Sequence, residues 1–523
     1  MTAIPQRLLG EALLNSARQH PSKTAVIVKG SEYSYDELLK GASKIASYLI
    51  RSGLQKGDRA LVYMHNSWHC ILSIYGITLA GGVFLVINPQ TKAEKLHYIL
   101  NDSDAAFVLT EDILINLVSE ALQSAKTVRE ILAAGNVRHG KASFPVPVTE
   151  MEQVLNEDSA GSLHSVIPND LAALIYTSGS TGFPKGVMMT HQSMVFTSWS
   201  LIEYLRLQES DRVLLILPLA FDYGLYQLLM TITLGATLIV EQSFTFPATI
   251  YRSIEQNQPT VFPGVPTVYA MMIAASKSNH LSFPCIRTVT NTAAALPYEF
   301  IAELKKIFPN ALIFSMYGLT ECKRVCYLEP ELIGIKKNSV GKAIPGTEVF
   351  LLTPEGLPAP PGEPGILHIR GPHVMAGYWK NEALSNEMLK PGKIPGERIL
   401  CSNDWFTMDE EGFLYFQGRN DDIIKSRGEK VSPLEVEKVI HKVEGVREAA
   451  VFGVPDFVQG ESVFAVVTTH KPNTLTEKEI LKMCASHLEL FMIPSRVAFI
   501  DEMPKSANGK IDKKALIKMF SQW

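Results

Sequence analysis

Along this chain, short β-branched runs alternate with segments whose apolar residues recur every three or four positions. The runs "TAVIV", "RALVYM", "GVFLVI", "AAFVLT", "DRVLLIL", "ATLIVE", "ALIFSMY" and "EAAVFGV" have the length and composition of buried strands. Three helices announce their starts with capping boxes, a hydroxyl followed three residues later by a glutamate: Ser34 with Glu37, Ser432 with Glu435, and Thr476 with Glu479. Strands alternating with helices predict an α/β architecture with largely parallel sheets. Residues 70–87 carry no charge, yet Gly76, Gly81, Gly82 and nearby Pro89 divide this run into buried helix, turn and buried strand, not a membrane span.

From about residue 340 the texture changes. The stretch "GKAIPGTEVFLLTPEGLPAPPGEPGILHIRG" predicts an antiparallel, β-rich subdomain with turns at Pro354-Glu355-Gly356 and Pro361-Gly362. The densely charged "FQGRNDDIIKSRGEKVSP" follows, and then a segment that alternates helix and strand on its own. A hinge and a domain boundary are expected there, between residues 1–420 and residues 421–523. The 523 residues exceed what one hydrophobic core supports, and the 46% apolar content can fill two.

Charge and cysteine usage narrow the partners. The 49 basic and 53 acidic residues nearly cancel, to a net −4, and no long run of one sign occurs, which argues against nucleic acid or an anionic membrane. The start "MTAIPQRLLGEALLNSARQHP" lacks the features of a secretory signal, so a cytoplasmic protein is expected. The six cysteines lack paired CxxC spacing and are expected to be reduced and structural; Cys322 and Cys326 have no histidine pair nearby in sequence to make a metal site.

The stretch "IYTSGSTGFPKGV" (residues 175–187) carries the chemistry. Successive backbone N–H groups in a glycine-rich turn form a concave anion site, and a lysine at its end adds a mobile positive charge, so phosphate is the expected guest. The Walker A pattern is excluded, because Phe183 and Pro184 separate Gly182 from Lys185. Taken whole, the loop resembles the phosphate-binding loop of the adenylate-forming ligases, which include acyl-CoA synthetases, carrier-protein ligases and peptide-synthetase adenylation domains. The resemblance continues in order and spacing through "MYGLTE" (316–321), "GYWKN" (377–381), "SNDWF" (402–406), "GRNDDIIKSRGEKVSPLEVE" (418–437) and "PKSANGKIDKKAL" (504–516), covering nearly the whole chain.

The resemblance implies a large N-terminal domain of mixed sheets flanked by helices, a small mobile α+β C-terminal domain, and an AMP-forming acid–thiol ligase that uses ATP and Mg²⁺. It implies that Thr177, Ser178, Gly179, Ser180, Thr181, Gly182 and Lys185 cradle the β- and γ-phosphates. Glu321, beside Thr320, would hold Mg²⁺, and Tyr317 with Gly318 would lie against adenine. Asp404 would accept both ribose hydroxyls, although the family's glycine before it is Asn403 here, and Arg419 would reach the ribose or phosphate. Lys510 in "SANGK" would be the catalytic lysine of adenylation. Rotation about the hinge residue Asp421 would then withdraw Lys510, with Gly428 lining the path of a pantetheine thiol.

For the acid itself, "LPLAFDYGLYQLL" places Phe221-Asp222 where many acyl- and aryl-CoA synthetases have a histidine-containing segment. In amino-acid-activating relatives an aspartate at that place pairs with the substrate's α-amine, and a carboxylate in an apolar pocket does require a cation. The bland alternative is that Asp222 caps the helix that follows. The run "FDYGL" looks like that of stand-alone ligases that load L-proline onto a carrier protein, as in nonribosomal peptide synthesis. Tyr223, Tyr226, Pro263, Thr292, Met316 and Val325 are pocket candidates by position. Arg324 is an awkward neighbour for a purely apolar side chain: either it faces away, or it binds an acidic group, which would count against proline. The expected function is therefore activation of an amino acid such as L-proline and its transfer to the phosphopantetheine of a carrier protein. The alternative is an acyl- or aryl-CoA ligase acting on a non-amino acid with free coenzyme A.

Overall fold

Every one of the β-branched runs forms a strand, and helices cover the sheets that those strands build. The computed structural model describes the chain except residues 1–5, 124, 137–143, 158–163, 178–183, 293–295, 420, 421, 423, 427–428, 457–459, 472–474, 489–491, 507–509 and 521–523, and the side chains of residues 419, 425, 429, 430 and 460. Contacts divide it into two compact units: Met1–Val349 with Ile369–Leu400, and Phe350–His368 with Cys401–Trp523. Among the described residues no helix is long and apolar enough to cross a membrane.

The first unit contains two large sheets. In the nine-stranded sheet, Leu312–Tyr317, Thr288–Asn291, Val261–Gly264, Arg212–Leu215, Thr237–Val240 and Thr24–Val28 lie side by side and parallel, with antiparallel strands at both ends. In the eight-stranded sheet, Val83–Ile87 lies between Leu171–Thr177 and Arg59–Tyr63, parallel to both. The uncharged run 70–87 resolves as expected. Trp68–Leu79 is a helix capped by Ser67, whose hydroxyl accepts from the Cys70 N–H; Gly81 turns the chain at φ +76°; Val83–Ile87 is buried along its whole length. Covering by helices on both faces explains why such a strand has no polar side.

Two features fix the segment that leads to Asp222. Buried Asn66 donates to the Leu217 and Glu241 carbonyls at 2.9 and 3.1 Å and accepts from the Leu219 N–H at 2.9 Å, so one side chain pins "LPL" to the sheet. Helix Asp222–Leu234 then starts so close to that segment that a Cβ on Gly224 would lie 2.2 Å from the Pro218 carbonyl oxygen. The glycine of "FDYGL" is thus required by close backbone approach.

In the second unit, the turns at Pro354-Glu355-Gly356 and Pro361-Gly362 form, with Gly356 at φ +82° and Gly362 at φ +86°. Strand Arg398–Met408 pairs antiparallel with Leu414–Arg419. Farther along, Val446–Asp456 and Gly460–Thr469 make a long antiparallel pair, extended by Ile424–Ser426 and by parallel Arg496–Phe499. The alternation in "EAAVFGV" is visible here: Ala449 and Val451 pack with Val436, Ile440 and Ile480 on one face, while Ala450 and Phe452 pack with Leu516 and Phe520 on the other. The capping boxes at Ser34 and Thr476 form. The one expected at Ser432 does not: Pro433 opens that helix, Ser432 makes no cap bond, and its hydroxyl donates to the Gln417 carbonyl. Pro433 at the first helical position has no N–H to satisfy, and the hydroxyl has been drawn to a neighbouring strand.

Replacing Gly224 with alanine drives a methyl group into the backbone carbonyl of Pro218. The expected loss of stability is about 1–3 kcal/mol, read as a lower urea midpoint than wild type.

Candidate active site

The hairpin of Leu171–Thr177 and Lys185–Thr190 sets Thr177 directly opposite Lys185, so the ends of the predicted phosphate loop are held in register. Ser178, Gly179, Ser180, Thr181 and Gly182 lie outside the described residues. On the far edge of the same hairpin, Gly377–Tyr378 pairs antiparallel with Val187 and Met188. That pairing brings Tyr378 over Lys185. The lysine Nζ donates to the Tyr378 hydroxyl at 2.8 Å, and the hydroxyl donates to Glu321 Oε1 at 2.6 Å. Lys185 Nζ also stands 3.4 Å from Glu321 Oε1 and 4.1 Å from the Tyr378 ring centroid.

Glu321 reaches this position from the loop after strand Leu312–Tyr317. The loop doubles back so tightly that a Cβ on Gly318 would lie 2.2 Å from the Lys323 carbonyl oxygen, and Lys323 itself takes φ +62°. The Val325 N–H closes the loop onto the Tyr317 carbonyl at 3.0 Å, and the Met375 N–H holds the Glu321 carbonyl at 2.8 Å. Tyr317 ends the strand, and Thr320 sits in the turn beside Glu321. Among the described residues both contacts to the Glu321 carboxylate fall on Oε1, which leaves Oε2 for a cation. Among the described residues no cluster of three His, Cys, Asp or Glu could hold a metal unaided. A single hard oxygen fits magnesium, which keeps waters and takes its other ligands from phosphates.

The same loop builds a second group of charges. Lys323 and Arg324 are only 3% and 1% exposed. Lys323 Nζ lies 3.6 Å from Asp222 Oδ2 and 5.3 and 5.0 Å from the ring centroids of Tyr223 and Tyr226. Burial pushes the Lys323 ammonium down to about 7, against the opposing pull of Asp222. Asp222 is not a cap. The cap position is Phe221, and Asp222 is the first residue of the helix, with its carboxylate facing a cation of its own chain. Arg324 donates from Nη1 to Thr292 Oγ1, and its Cζ stands 5.6 Å from the Tyr223 ring centroid.

The remaining pocket candidates frame this group. The Tyr223 hydroxyl donates to the Thr290 carbonyl at 2.7 Å, and Thr290 pairs with Pro263 in the sheet. Met316 accepts from the Tyr204 hydroxyl at 2.9 Å, and Val325 is buried. Burial raises the phenols of Tyr223 and Tyr226, which stay neutral, and it raises the thiols of Cys322 and Cys326, which are inert. In the second unit, buried Asp404 pairs with Arg419 across the antiparallel ladder. Asn403, within strand Arg398–Met408, takes φ +56°, a left-handed conformation that asparagine tolerates in glycine's place. Lys510 is exposed, and its carbonyl accepts from the Ser506 N–H at 2.7 Å. The Arg419 side chain, Asp421 and Gly428 lie outside the described residues.

Tyr378 and Lys323 take positions that the sequence reading left unassigned. Tyr378 carried a signal in "GYWKN", whereas the Lys323–Asp222 pair joins residues that no local spacing rule connects.

Two measurements follow from this geometry. Tyr378→Phe removes the hydroxyl that bridges Lys185 and Glu321, and kcat/KM for ATP should fall on the order of tenfold, about 1.4 kcal/mol, in pyrophosphate exchange. For Lys323, the unfolded chain holds a proton that the folded chain lacks between about 7 and the ordinary lysine value. Stability therefore rises with pH across that window, by at most ~1.4 kcal/mol per pH unit. Urea melts of Lys323→Met should show a shallower rise than wild type.

Comparison with known proteins gives the family. The family model "AMP-binding enzyme" matches residues 13–379, and that for the "AMP-binding enzyme C-terminal domain" matches residues 435–510. A long-chain-fatty-acid–CoA ligase of Bacillus subtilis (strain 168) is 31% identical over 98% of this chain and 95% of its own length. A feruloyl-CoA synthase of Amycolatopsis sp is 30% identical over 98% and 99%. The crystal structure of ATP-bound MatB from Rhodopseudomonas palustris superposes with a TM-score of 0.87 at 26% identity, over 99% of both chains. The chain belongs to the AMP-binding enzymes, the adenylate-forming ligases that join an acid to a thiol.

Proposed function

We propose that this enzyme converts a non-amino carboxylic acid to its coenzyme A thioester. The observation that carries the reading is the Asp222–Lys323 pair: a carboxylate already matched by an internal cation has no need of a substrate amine. The names of the two relatives reported above, both CoA ligases, support the choice of acceptor. A second reading is kept for one reason. With its ammonium pushed down to about 7, Lys323 is a weakly held cation, and a substrate amine could take over Asp222. In that case the product would be an amino acid, such as L-proline, loaded on a carrier protein.

The acid's carboxylate is ionised at neutral pH and needs no general base. Its oxygen bonds to the α-phosphorus of ATP as the bond to the β-phosphate bridging oxygen breaks, and pyrophosphate leaves. Thr177, the glycine-rich loop and Lys185 hold the β- and γ-phosphates, Tyr317 and Gly318 the adenine, and Asp404 and Arg419 the ribose. Glu321 would hold Mg²⁺, which supplies charge neutralisation on the phosphates when bound. Lys510 offsets the charge that accumulates between carboxylate and α-phosphate. In the second half-reaction the thiol sulfur bonds to the acyl carbon, AMP departs with the electron pair of the broken C–O bond, and the thiol proton passes to solvent. Turning about Asp421 removes Lys510 for that step, and Gly428 leaves room for the pantetheine arm.

Pyrophosphate exchange over a panel of amino acids and simple acids tests the reading. Exchange with acids that lack an amine, CoA consumption, and loss of exchange by about a hundredfold or more in Lys510→Ala are expected. Exchange confined to amino acids, abolished by Asp222→Asn, would transfer the assignment to the carrier-protein reading.

A further inference from the structure

Helix Asp222–Leu234 and the loop after Tyr317 carry two acids and two bases, but Glu321 is taken up by Lys185 of the neighbouring hairpin. Asp222 is matched by Lys323, which leaves Arg324 as an additional buried cation. Among the described residues no carboxylate lies within ion-pair distance of its guanidinium. Nη1 is engaged by Thr292 and Cζ stands 5.6 Å over the Tyr223 ring, but Nε is buried and has no hydrogen-bond partner among the described residues. A guanidinium cannot shed its proton, so it cannot relieve this by neutralising as Lys323 can. A purely structural arginine would have its donors satisfied, because an unmet buried donor is costly. The open Nε edge has the fork geometry that takes a carboxylate through two parallel hydrogen bonds.

We infer that the acid activated by this enzyme carries a second anionic group, a second carboxylate, which seats on the Nε edge of Arg324 beside Tyr223 and Thr292. The reacting carboxylate then goes to the nucleotide while the second one supplies the missing counter-charge. This inference rests on the reading of the enzyme as a ligase of non-amino acids, and it narrows the substrate class of that site. Arg324 acts in it as a specificity-determining residue, not as a catalytic one.

The test is pyrophosphate exchange by the full-length enzyme on matched pairs, straight-chain and aromatic diacids each beside its own monomethyl ester. A diacid is expected to exceed its ester by about tenfold or more in kcat/KM, mainly through KM. Arg324→Met should erase that ratio by raising KM for the diacid. Arg324→Lys keeps the charge but loses the fork, and should restore the preference only in part. The wild-type ratio needs no variant, so a misfolded substitution does not blunt the test. Esters that equal or surpass their diacids in the wild type overturn the inference, as does exchange with neutral monoacids alone, and both results leave the ligase reading intact. Silence with every acid removes the ligase reading itself, and the inference falls with it.

Discussion

The loop after strand Leu312–Tyr317 must present two kinds of chemistry within a few residues, and it does so because its backbone folds onto itself. The absence of a side chain at Gly318 lets the chain pass against the Lys323 carbonyl. The bond from Val325 to Tyr317 then closes the loop. Glu321 consequently points toward Lys185 and Tyr378, whereas Lys323 and Arg324 point toward Asp222, Tyr223 and Thr292. Any residue with a Cβ at position 318 would have to open the loop and move both groups together. In the proposed reading, phosphate handling and acid recognition are thus coupled through covalent geometry, without any long-range pathway.

The surrounding elements are arranged to keep that loop in place. Strand Leu312–Tyr317 continues a set of parallel strands whose register runs back to Arg212–Leu215, the strand that feeds the segment pinned by Asn66. The sheet therefore fixes the helix of Asp222 and the loop of Lys323 relative to each other. Hairpin residues Thr177 and Lys185 belong to the other large sheet, and Tyr378 is the last strand residue at its edge.

Much of this was legible in the residues. The β-branched runs located strands where strands form, and capping residues with apolar spacing located several of the helices, because burial enforces such patterns irrespective of partners. The uncharged run at 70–87 was read as helix, turn and strand for the same reason. Local chemistry was less dependable: the box at Ser432 lost its hydroxyl to Gln417, a partner that only tertiary folding supplies. The motif residues Lys185 and Glu321 were identifiable and do meet. The partner of Asp222 was not, since its charge is balanced by a lysine from a distant loop, and pairing across a sheet leaves no trace in spacing. Asn403 shows the reverse case, a departure from pattern that the backbone absorbs at φ +56°.

The bridge of Lys185, Tyr378 and Glu321 also bears on how the nucleotide arrives. In that bridge the ammonium and the carboxylate quench one another, so this corner of the cleft projects little field into solvent. In the proposed reading, phosphate oxygens would take the Lys185 ammonium over from the Tyr378 phenol, and Glu321 would hold the metal through Oε2. Capture at this corner would then be a swap of partners at contact range, with little dependence on ionic strength.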